Sequence, residues 1–195
     1  MEDSMKSVRM ILVFVLATGL MASLAFGAEE AKKTEGEEMP MPPMGPPEEM
    51  KMCQEVIGDW KFIGEWRMGP QQEWQETEAD VTFEYILDGA AVRMDYLSDM
   101  MGMKMHGLSI MAFNREADQW QQMWIDNMTG AISLYTGEVT EEKHIFTGTD
   151  VMQGMKIHSK TTTFDITENS FKWEMEHSMD GETWFVGMRG TYTRK

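Results

Sequence analysis

The feature that most constrains the fold is a long series of short segments in which apolar and polar residues alternate. Turn sequences such as Asp88-Gly89 and Asp180-Gly181 separate these segments. Alternation with a period of two is typical of a β-strand with one buried face, and tight turns join successive strands in antiparallel order. The pattern predicts an all-β meander with strands at about 60–67, 74–87, 90–97, 104–113, 119–127, 131–139, 143–151, 155–166, 170–179 and 183–194.

The faces of the strands predict that this sheet closes. In the ninth predicted strand Trp173 and His177 share the apolar face. In the tenth, Trp184, Val186 and Met188 share it. Closing the sheet buries these faces together and removes the exposed strand edges. The sequence therefore predicts an antiparallel up-and-down barrel of about ten strands, with room for its own side chains or for one small ligand.

The first fifty residues differ in composition from the strand-rich part. Residues 1–27 combine Lys6 and Arg9 with an apolar run and a small residue at the end, the order of a secretory signal peptide. Residues 28–50, rich in proline, methionine and glutamate, predict a disordered linker. A short helix ending at Ile57 then opens the predicted barrel domain at 51–195. This organisation predicts a protein exported to the bacterial periplasm or the extracellular space, with the leader either cleaved or retained as an anchor.

The charge and the cysteine content exclude several classes. The formal net charge is -16 at pH 7, and such an acidic surface repels phosphate backbones, which argues against nucleic-acid binding. Cys53 is the only cysteine, so the chain has no internal disulfide and its stability must come from the core. After the leader, no apolar segment is long enough to predict a membrane-spanning helix.

Several short motifs give the predicted domain a family resemblance. Gly58-Asp59-Trp60, which opens the first strand, resembles the start of lipocalin-like (calycin) barrels. A longer series resembles the DUF1579 family of proteins of unknown function: YILDG at 85–89, MMG at 100–102, GLSI at 107–110, WIDNM at 124–128 and TYTRK at 191–195. The resemblance covers about 51–195 and implies a lipocalin-like barrel, with no activity attached. It also implies that the Met-Met-Gly stretch is the turn of a family hairpin.

The barrel interior is the first candidate site, for a small apolar or amphipathic ligand. Aromatic side chains are predicted to bury the ligand, and a few polar groups to orient it, as in most small-molecule pockets. The alternative is that the polar groups form structural ion pairs or hydrogen bonds, because an unpaired carboxylate is costly to bury. The predicted aromatic residues are Trp60, Tyr96, Trp124 and Trp173, and the predicted polar ones are Asp126 and Arg93.

His177 is the second candidate, because it continues the apolar face of the ninth strand. A single inward histidine in an apolar barrel resembles the proximal haem ligand of nitrobindin-like barrels. The alternative interpretation is a histidine at the rim of the barrel, since His177 stands close to the Asp180-Gly181 turn. The chain has no haem-attachment motif, and no cofactor is predicted.

The methionine-rich hairpin at 98–107 is the third candidate. Met101, Met103 and Met105 alternate, so an extended chain places them on one face, and His106 could join them at the turn. Thioethers are soft ligands that select monovalent copper, which an exported protein can meet. The alternative is an ordinary hairpin, because 23 methionines are spread along the chain and methionine is a common core filler.

No catalytic motif stands out. The 4 histidines are scattered, and the sequence has no metalloprotease helix, nucleophile elbow, phosphate-binding loop or paired-cysteine zinc motif. The sequence therefore predicts a ligand-binding protein rather than an enzyme. The alternatives are copper binding through the methionine-rich hairpin, a haem-type or enzymatic barrel that uses His177, and a barrel filled by its own side chains that acts only as an interaction module.

Overall fold

A computed structural model of the chain describes residues 43–100, 102–152 and 154–195. The described residues belong to one compact unit, Pro42–Lys195. The predicted signal peptide at 1–27 and the predicted linker as far as residue 42 lie outside the described residues, as do Met101 and Gln153.

Ten antiparallel strands close into a barrel in which each strand pairs with its sequence neighbours and β1 pairs with β10. The predicted up-and-down barrel is therefore confirmed, and no predicted strand end is wrong by more than three residues. The strands are β1 (Gly58–Trp66), β2 (Gln75–Ile86), β3 (Ala91–Met100), β4 (Met103–Asn114), β5 (Gln119–Asp126), β6 (Ser133–Val139), β7 (Lys143–Met152), β8 (Met155–Phe164), β9 (Ser170–Ser178) and β10 (Phe185–Arg194).

A 3-10 helix, Glu48–Val56, packs against one end of the barrel, and we call it the capping helix. It begins before residue 51, the predicted start of the domain. Its apolar side chains Met50, Cys53 and Val56 are buried in the barrel core. Burial raises the pKa of the Cys53 thiol to about 12, so this thiol stays uncharged. The capping helix therefore closes this end with an apolar surface.

Hydrogen bonds from the barrel hold the capping helix in place. The Arg194 guanidinium, at the end of β10, donates to the carbonyl oxygens of Ile57 and Glu55 at 2.9 and 3.0 Å. The Tyr85 hydroxyl, near the end of β2, donates to the Met50 carbonyl oxygen at 2.8 Å. Both ends of the capping helix are thus tied to strands that terminate beside it. Within the described part of the chain, no helix is both long and apolar enough to cross a membrane.

One predicted strand face is wrong because β10 contains a bulge. The pairing of β10 with β9 shifts between Val186 and Met188, so that Phe185 lies opposite His177 and Val186 opposite Glu176. An extra residue in one strand places every residue beyond it on the opposite face from the one that simple alternation predicts. Val186 therefore lies on the opposite face from Met188, although simple alternation predicts that they share one.

Candidate functional site

The interior of the barrel contains a cavity of about 280 Å³. An engineered apolar cavity of about 150 Å³ is enough to hold benzene, whereas most ligand pockets measure roughly 300–1,000 Å³. The volume therefore suits a molecule of about two aromatic rings. The lining side chains are Val56, Phe83, Val92, Met94, Tyr96, Met105, Ser109, Met111, Gln122, Trp124, Tyr135, His144, Phe146, Thr161, Thr163, Phe171, Trp173, Met175, Met188 and Tyr192.

Three of the four predicted aromatic residues, Tyr96, Trp124 and Trp173, line this cavity. The fourth, Trp60, does not. Its side chain is fully buried, and its indole Nε1 donates to the Val56 carbonyl oxygen at 2.9 Å. The guanidinium of Arg194 lies 4.2 Å from the centre of its ring. Trp60 therefore joins the capping helix to the barrel rather than facing a ligand.

Trp124 owes its position to two neighbours. Its indole Nε1 donates to Asp126 Oδ2 at 2.9 Å. On β4, Gly107 leaves the space that the indole ring fills, because a Cβ at that position would overlap the ring. The ring then meets Tyr96 edge to face, with the ring centres 6.1 Å apart. A hydrogen bond and a missing side chain thus fix one wall of the cavity.

Asp126 is a structural residue rather than a ligand anchor, which corrects the predicted role. Its second oxygen, Oδ1, accepts hydrogen bonds from the backbone nitrogens of Met128 and Thr129 at 2.9 and 2.7 Å. Burial raises the pKa of this carboxyl, and the hydrogen bonds from Thr129, Trp124 and Met128 outweigh that effect and lower it. The carboxylate is fully occupied by the turn after β5 and by Trp124, and it does not line the cavity.

We expect Asp126→Ala to lower the free energy of unfolding by about 1–3 kcal/mol, since the Trp124 indole and two backbone N–H groups would lose a charged hydrogen-bond acceptor. The substitution would also free the Trp124 indole, and its fluorescence emission is expected to shift. Urea unfolding followed by tryptophan fluorescence measures both effects. Glu116→Ala is the control, because the exposed Glu116 side chain has no hydrogen bond or ion pair among the described residues. Equal stability of the two variants would contradict this role.

Arg93 lies on the outside of the barrel, so its predicted role in the interior is wrong. Its Nε atom is 2.8 Å from Asp95 Oδ2, and its Nη2 donates to Asp95 Oδ1 at 2.9 Å. The Arg93 side chain is 42% exposed. Register explains this, because Tyr96 faces the cavity and residues an odd number of positions apart in a strand face opposite sides.

Alternation also separates the predicted metal ligands of the methionine-rich hairpin onto the two faces of β4. Met105 lines the cavity, and Met103 lies two positions before it on the same face of β4. His106 is on the opposite face, where its Nε2 lies 3.4 Å from Asp95 Oδ1. Met101 lies outside the described residues. The structure therefore does not bring His106 together with Met103 and Met105 in one metal site.

His177 belongs to a polar cluster and is absent from the cavity lining. Its Nδ1 lies 3.3 Å from the Ser159 hydroxyl, which donates to Asp150 Oδ2 at 2.7 Å. The Tyr135 hydroxyl donates to the same oxygen at 2.8 Å. Burial lowers the pKa of His177, and this effect outweighs the opposing influence of Asp150. Phe185 packs beside the imidazole ring. The structure thus places His177 among polar protein neighbours and outside the cavity lining, where the haem-binding alternative would need it to be.

Three further polar residues of the lining, Ser109, Gln122 and His144, were not singled out from the sequence. Ser109 and Gln122 pair with each other, the Gln122 amide donating to the Ser109 hydroxyl at 2.9 Å. His144, on β7, is only 5% exposed, and burial lowers its pKa to about 4, so it is neutral at pH 7. The alternation of His144 with Phe146 was a signal for an inward histidine. It is weak because Ile145 makes the other face apolar too.

The end of the barrel opposite the capping helix carries exposed methionines. Five hairpin connections lie there, and the described residues place an exposed methionine within or beside each of them. We call these five methionines the methionine rim. Each rim side chain is about half exposed. Thioethers are flexible and apolar, so the rim gives this end a deformable apolar edge. The rim consists of Met68, Met103, Met128, Met155 and Met179.

Comparisons with known proteins agree with this architecture. The crystal structure of Rv2717c from M. tuberculosis is similar, with a TM-score of 0.55 and 9% identity over 77% of this chain and 99% of that one. The S-type phycobiliprotein lyase CPES from Guillardia theta has a TM-score of 0.50 and 8% identity over 74% of this chain and 91% of that one. At such low identity these likenesses show the fold alone.

No curated protein matches the chain. A family model, described as "Protein of unknown function (DUF1579)", matches residues 45–194. That range includes the capping helix from its first residue and all ten strands. The chain therefore belongs to the DUF1579 family.

Proposed function

We propose that this protein binds a small, largely apolar molecule in the barrel cavity. The observation that carries the proposal is an interior space of about 280 Å³ whose walls are mainly aromatic and methionine side chains. Burial of apolar surface supplies about 25 cal/mol per Å², so a ligand of two rings would gain most of its affinity from this lining. The predicted leader supports a role outside the cytoplasm.

A variant that fills the cavity tests the proposal. Thr161 faces the cavity from β8, so Thr161→Phe would place a ring in the space that the ligand needs. Thr162, the next residue, lies on the outer face, opposite Ile145 and Glu174. Thr162→Phe is therefore the matched control. We expect Thr161→Phe to weaken binding by about tenfold or more, because overpacked cores do not readily yield space.

The binding of 1-methylnaphthalene, a two-ring probe, can be followed in protein with 13C-labelled methionine methyl groups. Met94, Met105 and Met175 line the cavity, whereas Met68 and Met179 belong to the methionine rim. Binding inside the barrel would shift the first group of resonances and spare the second. Shifts confined to the rim, or equal binding by the Thr161→Phe and Thr162→Phe variants, would contradict the proposal. Native mass spectrometry of protein from its own host would then identify a co-purifying molecule.

A further inference from the structure

The cavity lining has a second property besides its apolar character. None of the described side chains that line it is an Asp, Glu, Lys or Arg. An ionised ligand would leave water for an apolar space without an opposite charge, which costs many kcal/mol. The ligand that suits this cavity is therefore electrically neutral.

Two buried polar atoms on residues of the lining lack a hydrogen-bond partner among the described residues, the Tyr96 hydroxyl and His144 Nε2. His144 Nε2 is buried and has no hydrogen-bond partner among the described residues. Burial alone accounts for the lowered pKa of His144, and no neighbouring group contributes to it. A buried polar atom without a partner costs about 1–3 kcal/mol, which a ligand can recover by pairing with it.

Other buried polar groups of the lining have partners within reach. Ser109 and Gln122 are already paired. The Tyr96 hydroxyl is unpaired among the described residues, but the Ser98 and Thr77 hydroxyls are close enough to lower the pKa that burial raises. Hydroxyl groups rotate, so these three can pair with one another. Among the fully buried polar atoms of the lining, His144 Nε2 is thus the one for which a ligand would supply a hydrogen bond that the described residues do not.

We infer that His144 recognises a hydroxyl group on a neutral, mostly apolar ligand, an inference that rests on the proposed function. A neutral imidazole offers either a donor or an acceptor at Nε2, depending on its tautomer. A hydroxyl group can accept or donate and therefore suits both tautomers, whereas a carbonyl suits only one. The ligand class is thus a small aromatic or alicyclic alcohol or phenol.

The position of His144 places this contact at the closed end of the cavity. His144 lies next to the first residue of β7, opposite Val139 on β6 and Thr163 on β8. Odd-numbered strands begin at the end that the capping helix covers, and Val56 of that helix also lines the cavity. A ligand would enter with its hydroxyl group foremost and leave its apolar body towards the methionine rim.

A matched pair of probes tests the inference. 1-Naphthol and 1-methylnaphthalene have nearly the same size and differ in the hydroxyl group. We expect the wild-type protein to bind 1-naphthol about tenfold or more tightly than 1-methylnaphthalene, measured by calorimetric titration. His144→Phe keeps a ring of similar shape without the polar atom. It should bind both probes with the same affinity, close to that of 1-methylnaphthalene for the wild type.

The imidazole 15N resonances of the wild-type protein give a readout that needs no substitution. Addition of 1-naphthol should shift the His144 Nε2 resonance, and 1-methylnaphthalene should leave it nearly unchanged. Equal affinity of the wild type for the two probes, or an unshifted resonance with 1-naphthol bound, would overturn the inference and leave the proposed function standing. If neither probe binds, both fail.

Discussion

Lowering the pH from 7 to 5 is expected to reduce the free energy of unfolding by about 2 kcal/mol through His144 alone. The pKa of His144 is about 4 in the folded protein because the side chain is buried. In the unfolded chain a histidine has a pKa of about 6.5. Between these values the unfolded chain binds a proton that the folded protein does not. The contribution of His144 to the free energy of unfolding is therefore fully present above about pH 6.5 and is lost as the pH falls towards 4.

Urea unfolding of the wild type and of His144→Phe at both pH values isolates this effect. His177 also has a lowered pKa and acts in the same direction over this pH range, so the wild type alone cannot assign the loss. Phe146→Leu is the control, because it weakens the same part of the core without removing a titratable group. It should keep the full pH dependence. A pH dependence that is undiminished in His144→Phe would refute the assignment.

Replacing Gly137 with alanine is expected to lower the free energy of unfolding by about 3 kcal/mol or more. A Cβ on this residue of β6 would overlap the carbonyl oxygen of Ile145 and lie 2.9 Å from the Cα atom of Phe146. Both are backbone atoms of β7, the strand hydrogen-bonded to β6. A side chain could rotate away, but a paired strand can yield only by separating from its neighbour.

Thermal unfolding by circular dichroism measures this loss, with Gly69→Ala as the matched control. A Cβ on Gly69, in the connection between β1 and β2, would have no atom within 4 Å. That variant should unfold at the wild-type temperature. If Gly137→Ala does the same, the close approach of β6 and β7 at this point is not a constraint on the fold.

The barrel could be predicted because its determinants are local. Each strand carries its own alternation, and turn sequences such as Asp88-Gly89 mark where the strands end. The bulge in β10 could not be predicted in this way. A single extra residue near Gly187 reverses which residues of β10 face the interior before and after it. Nothing in the alternation of the sequence marks this position.

The candidate site was harder to predict than the fold, because its features depend on pairs of strands. Alternation identified Tyr96 and Trp173 as inward residues, since each lies among other apolar residues of its own face, whereas Trp124 shares its face with Gln122 and Asp126. Arg93 and Tyr96 are an odd number of positions apart, so they could not both face the interior. His144 Nε2 lacks a hydrogen-bond partner because the neighbouring strands β6 and β8 place none beside it. The sequence of β7 alone cannot reveal this.

The capping helix also determines through which end of the barrel a ligand bound as proposed would exchange with the solvent. Because Arg194 and Trp60 hold the capping helix over one end of the barrel, a ligand bound as proposed would exchange past the methionine rim. The proposed contact at His144 would form last on entry and break first on departure. Substitutions there would change the residence time of the ligand and leave its association rate nearly unaltered, as is usual for contacts made after the encounter. Substitutions in the methionine rim would change the association and dissociation rates together and leave the affinity nearly constant.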